Sequence, residues 1–161
     1  MTPYELASLL ELRERQRDDA ELTYASEMAE LERHRRAVAE LDRRLERAQS
    51  ERAARCAAFD AQLSEQSLPL VEVHRFDAWI DGLKLDEQQL RDELTQARDD
   101  ERAQRTALER AHVALHEATL QLKAVEKHHE SWLSEQKLLA QRKQSDALDD
   151  IAARIWREHN P

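Results

Sequence analysis

Glycine, proline, cysteine and aromatic residues are scarce in this chain of 161 residues, and each scarcity excludes something. Gly82 is the one glycine, and the three prolines stand at Pro3, Pro69 and Pro161. These residues punctuate turns, so a fold with many turns is excluded. Only the stretch Ser67-Leu68-Pro69-Leu70 reads as a credible turn. With aromatics at 4%, no thick globular core is expected. The single cysteine, Cys56, cannot form an internal disulfide, which fits a reducing compartment. A net charge of -9 argues against a general binder of nucleic acid or anionic membranes, since either needs a basic surface. No apolar run approaches the roughly 18 residues of a membrane span. The opening Met1-Thr2-Pro3-Tyr4-Glu5 has no basic run followed by an apolar core, so the expectation is a cytoplasmic protein without a signal peptide.

What is present is charge, at 37% of residues, laid out with a heptad period. From Phe76 to about Trp156, one seam reads Leu83, Leu90, Ala97, Gln104, Ala111, Ala118, Val125, Trp132, Leu139. A second, three or four positions away, reads Ile80, Leu94, Leu108, Leu115, Leu122, with His129 and Gln136 beyond. This three-four alternation is the a/d pattern of a coiled coil. Between the seams nearly every residue is Glu, Asp, Arg, Gln or Ala, and all but Asp favour helices. One helix of about 80 residues, roughly 120 Å long, is expected. A stripe so thin needs a partner helix.

The preceding segment supplies one. Thr2 can cap a helix, Pro3 suits the first helical position, and Glu5 can complete a capping box. A leaner stripe follows: Leu6, Leu10, Arg13, Arg17, Ala20, Tyr24, Met28, Leu31, Val38, Leu41, Leu45, Ala48, Arg52, Cys56, Phe59, Leu63. Arg13, Arg17 and Arg52 can lie along the seam and send their guanidinium groups to water. The helix should end near Glu65, because Pro69 disfavours a helical residue before it. The expected fold is all-α: an antiparallel coiled-coil hairpin and a single domain, its helices over about 3–65 and 72–158, the second longer than the first. Counting from Pro69 sets Tyr4 roughly opposite residue 134, so Gln136 to Pro161 would overhang with an unpaired stripe of Leu139, Ala147, Ile151, Ile155 and Trp156.

The chain resembles the central-stalk family of type III secretion ATPases, the flagellar FliJ and injectisome YscO-type proteins. The likeness rests on the length, the two-helix hairpin and the opening Leu6-x-x-Leu9-Leu10-x-Leu12-Arg13. It also rests on Arg75-Phe76-Asp77-Ala78-Trp79-Ile80-Asp81-Gly82-Leu83, and on the closing stretch Ala124-Val125-Glu126-Lys127 through Lys143-Gln144-Ser145-Asp146-Ala147-Leu148-Asp149-Asp150-Ile151. The resemblance implies a bacterial export component, peripheral to the inner membrane. Such a component sits in a hexameric ATPase ring, promotes its assembly or activity, links it to the export gate and in some cases engages secretion chaperones. It also implies an export-gate contact at Phe76, Trp79, Ile80 and Leu83, two of them aromatic and of the kind that anchor interfaces. The competing reading is that the facing helices simply close over these four. Leu6, Leu9, Leu10, Arg13, Arg142, Lys143, Arg154, Trp156 and Arg157 would face the ATPase ring, where basic residues could meet acidic loops. Against that stands an ordinary solvated face, with Arg154 and Arg157 complementing a helix C-terminus.

Other constellations point nowhere. His112 and His116 share a helix face, and His128 and His129 are adjacent, yet no further ligand completes a metal site. Asp146, Asp149 and Asp150 lie on a solvated helix with nothing to tune them for catalysis. Cys56 reads as a small apolar filler of the seam. No phosphate-binding loop or nucleophile elbow occurs, so a non-enzymatic protein without cofactor is expected, monomeric when isolated. The rival readings are an escort that cradles apolar segments of secreted substrates or their chaperones, and a dimeric coiled-coil scaffold.

Overall fold

Two helices, α1 (Ala7–Glu65) and α2 (Leu70–His159), make up nearly all of the chain in the computed structural model, which describes residues 3–160. No strand occurs among the described residues. α1 holds neither glycine nor proline, so nothing along its 59 residues interrupts the backbone ladder. α2 runs for 90 residues through Gly82, where an added Cβ would meet nothing within 4 Å.

α1 begins at Ala7 rather than Pro3. The Ala7 N–H donates to the Tyr4 carbonyl at 3.2 Å and the Leu10 N–H to that of Leu6 at 2.9 Å. Pro3 and Tyr4 precede the helix, and the expected cap at Thr2 lies outside the described residues. At the turn, the Pro69 carbonyl accepts from Glu72 N–H at 2.9 Å and Val73 N–H at 3.4 Å. Pro69 thus sits at the start of α2, where its missing N–H removes no ladder bond. Glu72 in the first turn of α2, and Arg157 and His159 in its last, match the helix dipole.

Packing divides the chain into two compact units, each holding a piece of both helices: Met1–Thr23 with His112–Pro161, and Tyr24–Ala111. In the second unit Glu27 meets Gln104, Asp42 meets Arg98, Arg52 meets Glu87 and Phe59 meets Phe76. In the first, Tyr4 meets His128 and Arg13 meets Gln121. Within either unit the partner number falls as the first rises, so α1 and α2 pair antiparallel.

On α2 the residues drawn from solvent recur at three and four without a break from Val73 to Gln136. The deepest apolar positions among the described residues are Leu31, Ile80, Leu94, Ala111 and Leu122. Two positions differ from the stripe read off the sequence: Met28 is exposed and the seam passes through Glu27, and Leu63 is exposed as well. Leu139, which the sequence sets both at the end of the seam and in the overhang, is exposed with the overhang. Met28 is more apolar, but Glu27 holds the seam because Gln104 bonds both its carboxylate and its carbonyl oxygen, the latter at 3.1 Å. Leu139 lies beyond the reach of α1. Every described residue from 137 to 160 is exposed, so α2 outruns its partner as the residue count requires.

Deleting bulk at the seam therefore costs more than at the free segment. Leu94→Ala should cost about 2–3 kcal/mol, and Leu148→Ala no more than about 0.5 kcal/mol, in urea melts followed by circular dichroism. Gly82→Ala should stabilise by roughly 0.5–1 kcal/mol in the same assay, because helix propensity rises and no contact is strained.

Candidate functional site

Phe59 and Phe76 stack beside the turn with ring centres 3.7 Å apart and planes 8° from parallel, and Trp79 tilts against Phe76 at 5.7 Å. Of the four residues expected to bind a partner here, Phe76 and Leu83 are half-buried and Ile80 is buried, so the facing helix does close over them. Trp79 alone is presented to solvent, 46% exposed. It opens a shallow groove of about 180 Å³ with Leu83 and Asp86 on α2 and Ala48, Glu51, Arg52 and Arg55 on α1.

One turn further along sits the most buried side chain among the described residues, and it is a carboxylate. Glu87, 2% exposed, takes the seam position between Ile80 and Leu94. Arg52 Nε donates to its Oε1 at 2.5 Å and Nη2 to its Oε2 at 3.3 Å, while Arg91 Nη2 stands 3.6 Å from Oε2. A buried charge is tolerated only when paired and hydrogen-bonded. The α1 seam helps, stepping by four twice at Ala48, Arg52 and Cys56, a local departure from the heptad that sets Arg52 beside the carboxylate. The hydrogen bond to Glu87 raises the Arg52 pKa above its ordinary value. A raised folded pKa gives stability that is complete below the ordinary value and lost only above the raised one. The arginine thus stays charged throughout any working buffer.

Further charge lies at or beside the seam. Glu101 is met by Arg105 at 2.7 Å and Arg35 at 3.7 Å, and Arg98 reaches Asp42 at 3.4 Å.

In the other unit, Tyr4 packs among α2 aromatics, its ring 4.5 Å from His129 and 5.3 Å from Trp132, and its hydroxyl shares a 2.8 Å hydrogen bond with His128 Nδ1. Leu6, Leu9, Leu10 and Arg13 are all half-buried, and Arg13 donates to Gln121 at 2.6 Å and Gln16 at 2.8 Å. Their side chains are largely spent on the hairpin itself. Arg142, Lys143, Arg154, Trp156 and Arg157 instead lie on the free segment, all exposed, with Trp156 at 65%. The arginine and lysine side chains there form no ion pair; Arg157 donates only to the Ala153 carbonyl at 3.2 Å. The nine residues expected at one surface therefore separate into a packed set and a presented set. Continued past Leu139, the heptad seam falls on Lys143, Asp146, Asp150, Ala153 and Arg157, whereas the apolar stripe moves to Leu148, Ile151 and Ile155. The free segment is thus not shaped for more of the same pairing.

Among the described residues, no group of three or more His, Cys, Asp or Glu could hold a metal ion, and Cys56 is free and half-buried in the seam. No helix among them is long and apolar enough to cross a membrane.

These features define a two-helix coiled-coil hairpin with a charged seam and an unpaired end to its second helix. A family model described as YscO-like protein matches residues 1–160, and the chain belongs to the YscO-like family. That family ties it to the type III secretion of bacteria. A solved structure of a proposed YscO homolog from Chlamydia trachomatis has a similar fold, with a TM-score of 0.80 over 99% of this chain and 98% of that one at 18% identity. No curated protein sequence matches the chain.

Glu87, Glu101 and Glu27 are missing from the stripes read off the sequence, which admitted arginine, glutamine and histidine to the seam but no carboxylate. The heptad count itself marked Glu87 and Glu101, each seven residues from a seam leucine. The Arg52–Glu87 pair should respond unequally to truncation. Arg52→Leu leaves a buried carboxylate with only the longer Arg91 contact and should lower the melting temperature by several degrees. Glu87→Leu frees an arginine already 28% exposed, which can turn to water, and should shift it far less.

Proposed function

We propose that this protein is a non-enzymatic stalk of a type III export apparatus, whose free α2 segment engages the hexameric secretion ATPase. The observation carrying the reading is the segment at 137–160, helical as far as His159, with every residue exposed and its arginines and lysines without ion pairs. A partner that closes on this helix gains the apolar stripe of Leu148, Ile151 and Ile155, an aromatic anchor at Trp156 and uncommitted charges of both signs. Trp79 and its groove are the counterpart for the export-gate cytoplasmic domain. In this reading the hairpin works by contact: an asymmetric helix touches the subunits of a symmetric ring unequally and biases their nucleotide state. The work is done on the cytoplasmic face of the inner membrane, with no cofactor and no insertion into the bilayer.

The test is the ATP hydrolysis rate and ring assembly of the cognate ATPase with and without the protein. Stimulation should be lost in Ile155→Asp with Trp156→Ala and preserved in Trp79→Ala, which should instead weaken capture of the export-gate domain. An unchanged ATPase in the presence of the intact protein overturns the reading. Stoichiometric complexes with secretion chaperones and none with the ATPase would replace it by the escort reading, which the same apolar stripe also serves.

A further inference from the structure

The charges within the seam are sorted by helix. On α1 the seam carries Arg13, Arg17 and Arg52; on α2 it carries Glu87 and Glu101. The acidic residues of α1 at or beside the seam meet no seam cation: Glu27 faces the uncharged Gln104, Glu30 pairs with Arg33 on its own helix, and Asp42 reaches Arg98, which is exposed. Either helix, taken alone, is an amphipathic stripe that a second copy of itself could cover, and nothing in the apolar residues forbids this. The charged positions do. A parallel pair of α2 helices would set Glu87 against Glu87 and Glu101 against Glu101 with no cation between them in the seam. A parallel pair of α1 helices would do the same with Arg52, Arg17 and Arg13. α1 against α2 instead brings a seam cation to a seam carboxylate: Arg52 meets Glu87 at 2.5 Å, with the carboxylate 2% exposed.

We infer that this sorted seam charge, with Arg52–Glu87 as its central layer, is a pairing code that directs α1 onto α2 and keeps a thin, self-compatible stripe from assembling copies of this chain through parallel pairs of like helices. Buried ion pairs contribute little net stability compared with apolar residues of similar volume, and a single buried polar residue can fix the partner and register of a coiled coil. In this reading the pair acts through what it forbids.

The code predicts both a rescue and a loss. Arg52→Glu sets two carboxylates together and Glu87→Arg sets three guanidinium groups together, so each should lower the melting temperature of the full chain. The double exchange, Arg52→Glu with Glu87→Arg, should recover most of that loss and sediment as a monomer. Replacing both by leucine should keep the helix content, hold or raise the melting temperature, and strengthen self-association about tenfold or more in sedimentation velocity over a concentration series. The inference is overturned if the double exchange recovers nothing, if the double-leucine chain loses its helices, or if it associates no more than the parent. These readouts need no ATPase, so they stand apart from the proposed function.

Discussion

The hairpin depends on a contact only one stripe wide. Each helix buries a narrow seam against the other, and few apolar side chains are fully buried. Stability in such an arrangement is a sum of small layers, each worth little and none dispensable to its neighbours. Polar layers are consequently felt more than in a thick core. Where Arg52 meets Glu87, the carboxylate is the most buried side chain among the described residues, and its neighbours are set to satisfy it: Arg91 one turn on, and a seam on α1 that departs from its period at that point. The ion pairs elsewhere are mostly exposed contacts three or four residues apart on one helix, which reinforce helicity without deciding pairing.

Helices, turn and antiparallel pairing were legible because they follow from period and punctuation. Pro69 marks the turn, the end of α1 falls at Glu65 as the proline rule requires, and the position of Tyr4 near His128–Trp132 follows from residue counting. What escaped the sequence was how polar residues behave inside the seam. A carboxylate between Ile80 and Leu94 looks like an interruption until the arginine across from it is placed, and Glu27 displaces Met28 only because Gln104 is there to bind it. Such pairs are cross-helix facts, invisible to a reading of either stripe alone. The start of α1 was missed for a local reason: Pro3 and Tyr4 stay outside the helix, with the Tyr4 side chain held against α2.

The candidate surfaces sort along the same line. Side chains that the seam can use are taken by it, including Phe76, Ile80, Leu83, Leu6, Leu10 and Arg13. Those left over, Trp79 beside its groove and the length of α2 beyond Gln136, are what a partner can reach. In the free segment the apolar stripe leaves the line of the seam, so what covers Leu148, Ile151 and Ile155 must approach from another direction than α1 does. Membership of the YscO-like family ties the chain to type III secretion.

Hydrogen–deuterium exchange on the intact protein, alone and with its cognate secretion ATPase, tests this most directly. A paired seam with a free, partner-binding end gives slow exchange along the seam in both samples and fast exchange over 137–160 in the free protein, slowed when the ATPase is added. Fast exchange over 137–160 in both samples, at ATPase concentrations where the two proteins are bound, would contradict it.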